Sequence, residues 1–131
     1  MRKYVNFSVF YLALGLALGV FFREFTKFNN FTDRTTLSAL HGHALILGFI
    51  FFLVVLILDK LFEISKAKAY KVWLTLYNVS LVFVLVTLLV RGILQVNGSD
   101  FAGLSHIAGL AHAMLGVSLI WFATILYKKI K

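Results

Sequence analysis

Four long stretches without a charged side chain dominate this chain, at residues 4–22, 35–58, 72–90 and 101–127. Their lengths are 19, 24, 19 and 27 residues, against the ~20 apolar residues a helix needs to cross a bilayer core. Apolar residues make up 61% of the 131 and charged residues 14%, whereas a soluble domain carries about a quarter charged. The pattern predicts four crossings and excludes a secreted enzyme or soluble binding module. A transmembrane barrel is excluded as well, because its strands are alternating stretches of ~10 residues.

The expected fold is therefore all-α: one integral membrane four-helix bundle over residues 1–131. Its spans are drawn near 4–22, 35–58, 72–93 and 101–127. Short loops keep it a single compact domain. The first apolar run exceeds the ~7–15 residues of a signal-peptide core, and bulky Phe21 and Phe22 follow it instead of a small-residue cleavage site. It reads as a retained helix. Gly15 and Gly19, four apart within it, have the small-residue spacing that lets membrane helices approach closely.

Charge sets the expected orientation. Arg2, Lys3, Lys60, Lys66, Lys68, Lys71, Lys128, Lys129 and Lys131 fall on one side, and Arg23, Lys27, Arg34 and Arg91 on the other. The positive-inside rule places the first set, and with it both termini, in the cytoplasm. The net charge of +8 then serves topology and contact with anionic lipid, and nucleic acid is not an expected partner. Residues 23–34 read as the longest outer loop. Thr35, Thr36 and Ser38 before the second span, and Ser99 and Asp100 before the fourth, read as helix caps. Tyr77, Asn78 and Ser80 read as interhelical hydrogen-bonding groups.

His41, His43, His106 and His112 are the only histidines, and all lie inside apolar spans. Ionisable groups at membrane depth are costly and mark function by default. At ~1.5 Å per residue, His41 and His106 lie about 8 Å in from the outer helix ends, His43 about 11 Å and His112 about 17 Å. At ~100° per residue, His41 and His43 point about 160° apart, and His106 and His112 about 120° apart. Neither pair is expected to face one ligand. With no cysteine and no buried carboxylate expected, such an interior suits iron in haem, or copper. A zinc or copper site needs three or four converging ligands, whereas haem needs one or two histidines.

The stretch His41-Gly42-His43, with Gly48 five residues on, resembles the His-Gly-His helix of the haem-copper oxidase superfamily, above all that of nitric oxide reductase catalytic subunits. That subunit has three arcs of four helices, and its His-x-His helix is the second of an arc, as here. The resemblance implies a homotrimer imitating twelve helices. His41 of one copy and His43 of the next would share one haem b at each subunit interface, for electron transfer or the binding of haem or a gas. A quinone or other redox partner follows from the same likeness. Arg23 and Arg91 are the expected cations for the haem propionates. The likeness stops short of oxygen or nitric oxide reduction. The third span has no histidine for a second metal, and the spans carry no glutamate. His106 and His112 have no counterpart in that family and are left as ligands of an additional ion such as copper or zinc, or as structural groups.

Residues 23–28 (Arg-Glu-Phe-Thr-Lys-Phe) and 90–95 (Val-Arg-Gly-Ile-Leu-Gln) resemble those of an uncharacterised family of small four-helix bacterial membrane proteins, domain of unknown function 2871. That implies a multi-pass protein of the bacterial plasma membrane and names no activity. Two other functions remain open: a transporter or chaperone that relays a metal or haem along its histidines, and a structural or assembly subunit without cofactor.

Overall fold

The computed structural model describes residues 1–130 and contains four helices long and apolar enough to cross a membrane. Helix α1 covers Arg2–Phe28. The second span, Leu37–Phe62, has three parts: α2 (Leu37–His43), a π-helical segment (Ala44–Ile50) and α3 (Phe51–Phe62). A 3-10 turn at Ile64–Lys66 leads to α4 (Tyr70–Val96). Helix α5 covers Ala102–Lys129. All four run past the charge-free stretches. Residues 23–28 belong to α1, so the expected outer loop shrinks to the residues after Phe28. That last turn holds because Thr26 Oγ1 donates to Phe22 O at 2.8 Å and the rings of Phe21 and Phe25 stack at 5.1 Å.

The second span and α4 form the middle of the bundle. Helix α1 flanks the second span, and α5 packs along α4. Small residues set the close approaches. A Cβ on Gly48 would fall 2.2 Å from the Tyr11 ring, and one on Gly92 would fall 2.5 Å from Leu37 Cγ. The Gly15 and Gly19 pair also faces the second span. Their Cβ positions lie 2.8 Å from Leu45 and 3.6 Å from His41.

Polar side chains join the helices. At the distal end, the end away from the termini, Thr35 Oγ1 accepts from the Leu37 amide at 3.3 Å as a cap would, and the Thr35 and Thr36 hydroxyls also bind α4. Thr35 Oγ1 donates to Gly92 O at 3.1 Å and Thr36 Oγ1 to Leu88 O at 2.8 Å. In mid-bundle, Trp73 Nε1 donates to Ser118 O at 2.9 Å and Tyr11 donates to Asn78 Oδ1 at 3.0 Å. Tyr77 and Asn78 thus join helices as expected, while Ser80 turns back on Leu76 O of its own helix.

The terminal end holds a buried carboxylate that the sequence reading did not expect. Asp59 is only 6% exposed. It accepts from Tyr4 at 2.9 Å and from the Ser65 amide at 2.7 Å, and Tyr70 donates to Tyr4 in turn. The Lys3 ammonium lies over both tyrosine rings, 5.0 and 4.8 Å from their centres. A buried carboxylate is tolerated when its lone pairs are satisfied and a cation is near. One side chain thereby ties the start of α1, the end of α3 and the start of α4.

Candidate histidine site

Helix α2 is two turns long and places His41 and His43 on opposite sides, as the 100° step requires. His41 turns toward α1, where its ring lies on Phe22 (centroids 6.4 Å apart, planes 14° apart) and over Gly19. Its Nδ1 is buried and has no hydrogen-bond partner. His43 turns the other way, toward α5. Both imidazoles are only half-buried, so each keeps an open edge.

His43 and His112 face each other, with ring centroids 5.9 Å apart and planes at 87°. Each is oriented by its own helix. His43 Nδ1 lies 2.8 Å from Ala39 O, and His112 Nδ1 lies 2.7 Å from Ala108 O. A carbonyl only accepts, so Nδ1 carries the proton in both rings and the neutral imidazole keeps a bare Nε2. This is the preparation seen in metal-binding histidines, whose other nitrogen donates to a carbonyl or carboxylate. Sequence reasoning separated these two rings by about 6 Å of depth and did not pair them. The usable signal was that α2 and α5 both enter from the distal end, and that 6 Å is within the reach of two side chains.

The surroundings of the pair are open. A Cβ built on Gly42, Gly109 or Gly116 would meet nothing within 4 Å. Gly109 and Gly116 stand three residues before and four after His112, on its face of α5. A shallow hollow of about 240 Å³ lies beside His43, lined by Gly42, Ile46 and Leu47. His106 is exposed on α5. Among the described residues no three His, Asp or Glu side chains gather as a metal-holding group.

The π-helical segment begins at the residue after His43. Two of its carbonyls accept hydroxyls from neighbouring helices: Phe49 O from Ser8 at 3.0 Å and Leu47 O from Tyr77 at 2.8 Å. Tyr11 packs on Gly48 in the same turn. Widened turns of this kind occur often at functional sites. Here the turn is held open from both sides immediately below the histidines.

The arginines expected to meet propionates sit differently from one another. Arg91 is turned on Asp100, with Nε 3.4 Å from Oδ1 and a terminal nitrogen 3.3 Å from Oδ2, and Gln95 adds a bond at 3.3 Å. The Arg91 hydrogen bonds hold the Asp100 carboxyl below the usual carboxylate range against opposing desolvation, and Gln95 helps. Arg23 stands exposed on α1, with Glu24 3.9 Å away.

No curated protein and no solved structure matches the chain. One family model does, and it covers residues 1–129. The chain belongs to that family, described as a protein of unknown function (DUF2871).

Proposed function

We propose that this is a b-type haem-binding protein of the bacterial plasma membrane, with both termini in the cytoplasm and an electron-transfer role. It works as a homotrimer. His41 of one copy and His43 of the next would hold the haem where copies meet, in the outer half of the membrane. The observation that carries this reading is the opposed, half-buried pair on α2. Two rings on opposite sides of one helix suit a ligand held between copies and do not suit a site closed within one.

The residues fit the group. The His43 Nδ1 proton is fixed on Ala39 O, so its Nε2 is free to bind. The Nδ1 of His41 is buried within its own chain without a partner, so this half-buried ring would bind through Nε2. The open glycine positions at 42, 109 and 116 leave room for a flat macrocycle or a second helix. When bound, haem would supply one-electron chemistry. The chain's part is to orient the imidazoles, keep water away with the apolar spans, and offer cations to the propionates. Arg23 has only the exposed Glu24 beside it at 3.9 Å, whereas Arg91 would have to leave Asp100. The electron's source, a quinone or a protein, lies outside the chain.

A second reading, a metal or haem chaperone with a histidine relay, is favoured by the closeness of His43 and His112. The test is spectral. His41→Ala and His43→Ala should each abolish the low-spin haem spectrum, while His106→Ala keeps it. A low-spin spectrum surviving in either of the first two would end the shared-haem arrangement. A monomer that retains full haem would end the trimer.

A further inference from the structure

We propose that, in the haem-free protein, His43 and His112 of one chain bind a single monovalent copper ion through their two Nε2 atoms. The inference does not need haem, but it shares His43 with the haem reading. One Nε2 makes one bond to a metal, so haem and the ion exclude each other at that residue.

The geometry carries it. Two imidazoles bound through Nε2 at about 2.0 Å hold their ring centres about 6 Å apart when the angle at the metal is wide. The observed centroid separation is 5.9 Å, in an edge-on contact with the planes at 87°, and a turn of one ring about its side-chain bonds would aim both Nε2 atoms at one ion. Both Nδ1 atoms are committed to the carbonyl four residues back, at 2.8 and 2.7 Å. Both rings are thus prepared by the same local device, from two different helices. Binding through Nε2 leaves both Nδ1 protons in place and releases none.

Ligand number and depth choose the ion. Imidazole suits copper, zinc, iron and nickel. Zinc takes four ligands, and among the described residues no third His, Asp or Glu joins the pair. The buried carboxylate, Asp59, is at the opposite end of the bundle, bound to Tyr4 and Ser65. Two neutral imidazoles leave a monovalent ion with a net charge of one and a divalent ion with two. At membrane depth the smaller charge is much less costly. The three or four ligands expected of zinc or copper hold for the divalent ions, whereas two-coordinate binding is natural for the cuprous ion. Neither Ala39 nor Ala108 has a side chain to compete for its own carbonyl, and the open space at Gly42, Gly109 and Gly116 gives the ion a way in.

The experiment uses the full chain, purified haem-free in detergent micelles, titrated with cuprous ion against a chromogenic chelator under reducing conditions. One ion per chain is expected. His43→Ala and His112→Ala should each weaken binding by about 100-fold or more, beyond the loss that follows from removing an outer-sphere partner. His41→Ala and His106→Ala should bind as the parent does. X-ray absorption should find two nitrogen neighbours. Where an alanine variant fails to fold, His112→Gln keeps the side-chain volume and should lose the ion equally. No binding to the parent protein, undiminished binding in either ligand variant, or a four-nitrogen zinc site of equal affinity would overturn the proposal. The two readings fail separately. His41→Ala removes haem alone, His112→Ala removes copper alone, and His43→Ala removes both.

Discussion

Single side chains in this molecule gain their importance from where the bilayer leaves them without water. Asp59 shows it most plainly. Removing its carboxylate strands the Tyr4 hydroxyl and the Ser65 amide, and each buried group left unpaired costs about 1–3 kcal/mol. Asp59→Ala should therefore lose about 2–6 kcal/mol of stability by this count, measured by denaturant-driven unfolding in micelles. Asp59→Asn keeps an acceptor and should lose less. At the other end, Asp100 has a folded-state pKa below its unfolded value, because Arg91 favours the charged form. Its stabilising effect is present above the ordinary carboxylate value of about 3.9 and is lost as pH falls through the lower folded value. A carbon-13 titration should place the Asp100 midpoint below that of a free aspartate, and Arg91→Ala should raise it. A normal midpoint in the parent chain would dissolve the pair.

At the scale of the element, the second span repays attention because it is not one regular helix. Ala44–Ile50 is π-helical, held by hydroxyls from α1 and α4 and by the Tyr11 ring on Gly48. A Cβ there falls 2.2 Å from that ring, and overpacking of this kind typically costs 1–3 kcal/mol. Gly48→Ala should lower stability by about that much, whereas Gly109→Ala, inside α5 with nothing within 4 Å, should hold or raise a single chain's stability, by up to about 1 kcal/mol. Equal losses in the two variants would contradict the packing described. Apolar runs located all four spans, but not the π segment. Hydropathy is indifferent to whether a carbonyl bonds four or five residues on. That choice is made by Ser8 and Tyr77, which lie 30 or more residues away in sequence.

For the whole molecule, length and hydropathy were enough to read an all-α chain with four membrane-competent helices, and the 100° step was enough to set His41 against His43. The His43–His112 approach was not legible, because helix counting fixes depth along each axis but not how two helices tilt together. The buried state of Asp59 was hidden for a similar reason. Its partner Tyr4 is 55 residues away, Tyr70, which donates to Tyr4, is 11 residues from Asp59, and only the packed ends bring them together. The exposed imidazoles on α5 and the open glycines beside them suit a protein neighbour better than lipid tails, which cannot hydrogen-bond to a polar group. Light scattering corrected for detergent should accordingly give a mass near three chains, and a monodisperse single-chain mass would count against assembly.

The most direct test of the central claim is an optical spectrum of the purified protein, oxidised and then reduced with dithionite, after expression with haem supplied. A sharp α-band on reduction, absent from His43→Ala, is the expected result. A colourless parent protein would contradict a haem held by the histidines of the second span.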